Sequence, residues 1–131
     1  MMIGTDVSRR PSVLVVDYEN EILEEMIDAL SDEGLSVLGA GSVDEALAAI
    51  STHAEIEIIV TDLRMPGRLG TDLIHEASKT VSRKLRFILV TGHGSGRHDV
   101  ERSGLNVFSV LHKPIGIDVL IETVGKALDA N

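Results

Sequence analysis

Two hydrophobic rhythms alternate along the chain. Ser12–Asp17 (SVLVVD), Leu35–Ala40, Ile56–Asp62 (IEIIVTD), Arg86–Thr91 (RFILVT) and roughly Val107–His112 are short runs of mostly apolar, often β-branched residues. Such near-continuous runs predict strands covered on both faces. Between them the apolar positions take helical spacing. Glu19–Glu33 carries Ile22, Leu23, Met26, Ile27 and Leu30 on one stripe, is coated with acid elsewhere, and is stopped by Gly34. Ser42 and Glu45 form a capping box, each side chain expected to satisfy a backbone N–H of the other, ahead of a stripe of Val43, Ala46, Leu47 and Ile50. A Pro66-Gly67 turn precedes a helix with Leu69, Leu73, Ile74 and Ala77 inward, and Ile117–Ala130 places Ile117, Leu120, Ile121, Val124 and Leu128 on one side. Between Thr91 and Val107 the pattern weakens. Gly92, Gly94, Gly96 and Gly104, with Ser95 and Ser103, leave Val100 as the large apolar residue in the middle. Each interior glycine costs a helix about 1 kcal/mol relative to alanine, so a short, frayed or mobile fourth helix is expected. Residues 1–11 are polar, end in Pro11 and read as a flexible leader to one domain spanning 12–131.

Strands alternating with helices predict an α/β fold: a five-stranded parallel sheet, doubly wound in the flavodoxin-like order 2-1-3-4-5, with helices on both faces. Ligands in such sheets bind beyond the carboxyl ends of the strands. The first strand ends in Asp17, followed by Tyr18 and Glu19; the third ends in Asp62, the fourth in Thr91 and the fifth in His112-Lys113-Pro114. Carboxylates gathered at one edge repel unless a cation sits among them, and a hard oxygen cluster with few dedicated ligands suits Mg²⁺. A lysine and a hydroxyl at the same edge can hold the oxygens of a phosphoryl group. A central aspartate could then act as a carboxylate nucleophile and form an acyl phosphate.

Composition narrows the reading. The chain has 131 residues, enough for one domain with its own core. It contains no cysteine, which excludes a disulfide framework, a thiol nucleophile and a thiolate zinc site. Twelve basic against 21 acidic residues give a formal charge of −9, which argues against nucleic acid or an anionic membrane as partner. Tyr18, Phe87 and Phe108 are too few aromatics for a base-stacking platform. No run approaches the roughly 18 apolar residues of a membrane helix, and a cytoplasmic protein is expected. A P-loop is excluded because no GxxxxGK[ST] motif occurs.

The blocks VLVVDYENEIL, VTDLRMPG, ILVTGHG and LHKP resemble, in order, those of bacterial response-regulator receiver domains, the CheY-like modules of two-component signalling. The likeness covers nearly the whole chain after the leader. The separations Asp17–Asp62, Asp62–Thr91 and Thr91–Lys113 are 45, 29 and 22 residues, which suit that family. The resemblance implies that Asp62 is the phospho-acceptor, Thr91 the switch hydroxyl and Lys113 the cation that pairs with the phosphoryl group. It implies that Asp17, Asp62 and the backbone carbonyl of Arg64 bind Mg²⁺. The implied donor is a histidine kinase or a histidine phosphotransfer protein, and the implied output is altered affinity for a downstream protein of unknown identity. On this reading the chain is a single-domain switch in a phosphorelay, with no room after its last helix for a DNA-binding module. It is not an enzyme beyond self-phosphorylation and slow autodephosphorylation.

Three departures from the family pattern matter. Tyr18 stands where a second acid is usual, and a neutral phenol is a poor Mg²⁺ ligand. Either Glu19 joins Asp17 as a ligand or binding is weakened; weakened, not lost, is the expectation. Val110 stands where an aromatic usually precedes the lysine by three residues. Phe108 lies two residues earlier and on the same face by strand periodicity; either it does a similar job from a shifted location or the usual rotamer switch is absent. The glycine-rich stretch after Thr91 suggests activation by ordering a mobile segment. Tyr18 and Val110 also support an alternative, a pseudo-receiver acting as a phosphorylation-independent interaction module. A phosphohydrolase on a similar sheet would need a second acid where Arg64 stands. Arg64 and His93 occupy the positions that flank the hydrolytic water in the family. Leu38–Gly41 reads as a tight turn, the acidic coat of the first helix as a solvated face, and Lys79, Arg83, Lys84 and Arg86 as a solubilising cluster.

Overall fold

The strand-forming runs assemble into one sheet. The computed structural model describes residues 12–92, 104 and 106–130. The expected leader and most of the glycine-rich stretch, His93 included, lie outside the described residues. In chain order the elements are β1 (Val13–Val16), α1 (Asn20–Asp32), β2 (Val37–Ala40), α2 (Val43–Thr52), β3 (Ile58–Asp62), β4 (Arg64–Met65), β5 (Arg68–Leu69), α3 (Gly70–Thr80), β6 (Arg86–Thr91), β7 (Ser109–His112) and α4 (Ile117–Asp129). The main sheet has five strands in the order β2-β1-β3-β6-β7, all parallel. This is the expected doubly wound order, with β4 and β5 forming a separate antiparallel ribbon between β3 and α3.

Strand periodicity divides the core in two. Leu14, Val16, Ile59, Phe87 and Leu89 face one side, packed with Val43, Ala46 and Ile50 of α2 and Leu73, Ile74 and Ala77 of α3. Val13, Val15, Ile58, Val60, Ile88, Val90 and Leu111 face the other, packed with Met26 and Leu30 of α1 and Leu120, Val124 and Ala127 of α4. The central strands β1 and β3 are buried along their whole length, which is why β1 (VLVV) is wholly apolar and β3 (IIVTD) turns polar only at its last two residues. Edge strands β2 and β7 are only partly covered. Each fully buried Val, Leu or Ile contributes about 1.5–3 kcal/mol, so the sheet centre is the most firmly held part of the molecule.

Local signals act where the sequence indicated, with small shifts. Gly34, at φ +86°, ends α1 in a Schellman turn: its N–H donates to the Ser31 carbonyl, and the Leu35 N–H donates to Leu30. Ser42 Oγ accepts the Glu45 N–H at 3.1 Å, but the Glu45 carboxylate takes the N–H of Gly41 rather than that of Ser42. Gly67, at φ +80°, follows Pro66 in the β4–β5 turn, as a type II turn requires. Gly39 lies within β2, not in a turn. Leu69 and Ile117 do not join their helices' buried stripes. They sit at the N-cap of α3 and the first residue of α4, where the helix surface has not yet turned inward, and both are exposed.

The largest local correction concerns the basic cluster. Arg83 is not a solvated charge: its guanidinium donates to the carbonyls of Ile50, His53 and Ile56 at 2.8, 3.0 and 3.2 Å. One side chain thus satisfies carbonyls at the end of α2 and on the path to β3. Arg86 likewise donates to the Ala130 carbonyl. Charge-assisted hydrogen bonds contribute about 1.5–3 kcal/mol, and orphaned carbonyls add a penalty. Arg83→Ala is therefore expected to lower the unfolding free energy by about 2–3 kcal/mol in urea titration, while Lys84→Ala stays within about 0.5 kcal/mol of wild type.

Candidate functional site

Parallel register carries the chemistry-bearing residues to one edge. Asp17 follows the last residue of β1 and its N–H donates to Ala40 of β2. Asp62 ends β3 opposite Val90, and Thr91 ends β6 opposite His112. The Lys113 N–H donates to the Thr91 carbonyl at 2.9 Å, so the ladder continues into the lysine and fixes where its side chain starts. Asp17, Asp62 and Thr91 are all buried. Lys113 Nζ lies 3.1 Å from Asp62 Oδ2 and 3.5 Å from Asp17 Oδ2, one ammonium between two carboxylates.

The remaining bonds orient this cluster. Asp17 Oδ1 accepts the Glu19 N–H at 2.9 Å, at the start of α1. Asp17 Oδ2 is buried and, beyond its ion pair with Lys113, has no hydrogen-bond partner among the described residues. The Asp62 carboxylate also accepts the backbone N–H of Arg64. Burial pushes the Asp62 carboxyl above its ordinary value. Hydrogen bonding and charge from Lys113 pull it back, Asp17 adds to the rise, and the Arg64 N–H opposes it; the net direction is up. Burial alone would lower Lys113, but Asp62, then Asp17, outweigh it, and the ammonium is held above its ordinary value.

Beside the cluster lies a polar cavity of about 200 Å³ lined by Tyr18, Glu19, Asp62, Arg64, Thr91, Gly92 and Lys113. A larger apolar cleft of about 420 Å³, between α1 and the β7–α4 connection, shares only Gly92 and Lys113 with it. The ionisable groups converge on the smaller one. The sequence-predicted residues divide accordingly. Asp17, Asp62 and Lys113 form one ion-paired group, and Thr91 and Arg64 border the same cavity. The Glu19 carboxylate is not gathered with the two aspartates: among the described residues no group of three His, Asp or Glu side chains could hold a metal ion. Tyr18 is exposed at the rim. Val110 packs against the α2–α3 side of the core, two residues short of the strand end. Phe108 precedes β7, with its N–H bonded to Phe87, about 13 Å along the strand from His112. It borders a cleft with Lys84, Arg86 and Ala130 at the opposite edge of the sheet, away from the cavity. Gly92 was readable only as a helix breaker. Its place immediately after Thr91 was the signal that it would border the cavity.

The buried Asp17 Oδ2, a hard oxygen beside a second carboxylate and with only the Lys113 ammonium near it among the described residues, fits a hard divalent cation. A doubly wound sheet with a carboxylate pair and a lysine at its carboxyl edge is the layout of a phospho-acceptor signalling domain. The chain belongs to such a family: the model of the response regulator receiver domain matches residues 13–125. The chain is 32% identical over 124 residues to the transcriptional regulatory protein GlrR of Escherichia coli, covering 94% of this chain and 28% of that protein. It is 31% identical over 127 residues to the sensor kinase CckA of Brucella abortus, covering 96% and 13% respectively. Among solved structures it is similar to a response regulator receiver protein from Pseudomonas putida, with a TM-score of 0.81, 33% identity and coverage of 89% and 97%. The chain spans about a quarter of the length of the transcriptional regulators it matches. Receiver domains are regulatory phospho-acceptor modules that interact with histidine kinases and generally bind Mg²⁺ at the phosphorylation site. Among the described residues, no helix is long and apolar enough to cross a membrane.

The charge cluster sets a pH dependence. Lys113 titrates above 10.5 when folded, so its contribution to stability is full below pH 10.5 and is lost as pH rises through the raised value. Asp62 binds its proton more tightly folded than unfolded, so stability falls as pH rises through the window above 3.8. In chelator at pH 7, Asp62→Asn is therefore expected to melt a few degrees above wild type, since about 1 kcal/mol moves Tm by several degrees in a domain of this size. A lower melting temperature for Asp62→Asn in calorimetry contradicts the assignment of Asp62 as a destabilising buried charge.

Proposed function

We propose that this receiver domain accepts a phosphoryl group on Asp62 from the phosphohistidine of a histidine kinase or histidine phosphotransfer protein, and that the adduct alters its affinity for another protein. The observation that carries this reading is the Lys113 ammonium held between Asp62 and Asp17 at the wall of a polar cavity. A carboxylate oxygen of Asp62 forms the new O–P bond as the N–P bond of the donor breaks. The donor imidazole, protonated at its other nitrogen, leaves neutral with the electron pair. Lys113, already charged, stabilises the added negative charge without reorganising, and the Thr91 hydroxyl is the donor for a second phosphoryl oxygen. The Arg64 N–H holds the carboxylate through the transfer.

Asp17, Asp62 and the Arg64 carbonyl would hold Mg²⁺, which when bound neutralises charge between the carboxylates and the phosphoryl oxygens. Tyr18 supplies no carboxylate to that set, and Glu19 stands apart from it. The resulting site binds the ion weakly. With Phe108 distant and Val110 an aliphatic residue partly buried against the core, the response to phosphate does not use an aromatic rotation in β7 and runs through Thr91 and the segment that follows it.

Incubation with a small acyl-phosphate donor and Mg²⁺ is expected to give one acid-stable, base-labile phosphoryl adduct by mass spectrometry, absent in Asp62→Asn. No adduct, with the fold intact, would instead establish the phosphorylation-independent interaction module. Tyr18→Asp is expected to tighten Mg²⁺ by about tenfold in titration, the factor that 1.4 kcal/mol confers. Equal affinities would remove the idea of a weakened site.

A further inference from the structure

We propose that Gly70 is a positioning residue for the phospho-acceptor: its missing side chain lets the start of α3 close against the end of β3 and keeps Asp62 aimed at Lys113. The proposal rests on the reading of Asp62 given above. Gly70 is buried, and its N–H donates to the Leu63 carbonyl at 2.6 Å. A Cβ on Gly70 would fall far inside contact distance of the Asp62 carbonyl oxygen and 3.2 Å from both the Asp62 carbonyl carbon and the Leu63 Cα. Its φ is not positive, so space, not backbone conformation, is what demands glycine here.

The atoms in the way cannot yield cheaply. They are backbone at the end of β3, where Asp62 pairs with Val90 and the Leu63 N–H donates to Val90 at 2.7 Å. The chain between Leu63 and Gly70 is a closed loop, turned at Gly67 and fastened by Arg68, which pairs with Asp44 of α2 and Glu76 of α3. That loop holds the Arg64 N–H on which the Asp62 carboxylate rests, and the Arg64 carbonyl assigned to Mg²⁺. A side chain at position 70 therefore moves the acceptor and its two backbone partners together. A misplacement of about 1 Å at a reacting group can cost two orders of magnitude. Gly39 is the matched contrast. Its added Cβ would meet Ile27 Cδ1 at 2.6 Å, the far end of a flexible side chain in the α1–β2 packing.

Affinity for beryllofluoride with Mg²⁺, read by fluorine NMR on wild type, Gly70→Ala and Gly39→Ala, separates positioning from stability. Circular dichroism and urea titration establish that each is folded. Gly70→Ala is expected to fold and to bind at least about tenfold more weakly. Gly39→Ala is expected to lose stability yet bind within about twofold of wild type. A folded Gly70→Ala that binds like wild type overturns the proposal, as does an equal loss in Gly39→Ala. If Gly70→Ala does not fold, Gly67→Ala decides. Its side chain meets no neighbour within 4 Å but strains the turn at φ +80° and loosens the same loop, with an expected loss of about threefold. Unchanged affinity in folded Gly67→Ala overturns the proposal. Failure of wild type itself to bind overturns the reading of Asp62 and the proposal with it, and is visible before any substitution is compared.

Discussion

A single ammonium shared by two buried carboxylates is the constraint around which the rest of this domain is organised. Lys113 balances only one of the two negative charges it touches. Burial raises the cost of the remainder, because charges in a low-dielectric setting interact more strongly than in water. The site therefore carries excess negative charge, a buried Asp17 oxygen with only the Lys113 ammonium beside it among the described residues, and a polar cavity. Each invites the same occupant class: a cation among the carboxylates, with an anion whose oxygens reach the lysine.

Such a cluster persists because the strands that end in it are held elsewhere. β1 and β3 are buried along their length between two apolar layers, and their pairing leaves their carboxyl ends little freedom. The ladder continues past the strands into the site, through Leu63 to Val90 and Lys113 to Thr91. Positioning of the ionisable groups is thus an extension of sheet hydrogen bonding. Arg83 does comparable work at the opposite edge, where it gathers the carbonyls of Ile50, His53 and Ile56 along the α2–β3 connection; that of His53 also accepts the Ile56 N–H.

The same geometry limits how a signal leaves the site. Phe108 borders the far edge of the sheet, and Val110 is partly buried against the α2–α3 layer. Thr91 and Gly92 do border the cavity, and they are the last residues before the glycine-rich stretch.

Much of this was legible in the chain itself. Unbroken apolar runs identified the strands because a sheet covered on both faces has no polar side. Helical spacing identified α1 to α4, and the order of acidic, hydroxyl and basic residues after those runs picked out Asp17, Asp62, Thr91 and Lys113. The misreadings share one cause. Ion pairs, close approaches and helix entry angles depend on what lies across space, and linear spacing does not report it. Arg83 looked like surface charge because the carbonyls it meets are up to 33 residues away. Glu19, a tentative ligand because it stands near Asp17 in sequence, is the exposed N-cap of α1; it lines the cavity with Asp62 but completes no group of three metal-ligating side chains among the described residues. Phe108 shares a face with Val110 yet reaches the wrong end of the strand. Gly70, unremarked in a turn-rich stretch, acquires its meaning only when α3 folds back onto the carbonyl of Asp62. Sequence determined which groups could do the chemistry, through residue type and periodicity; tertiary structure alone decided which of them meet, because contact is set by register and backbone clearance.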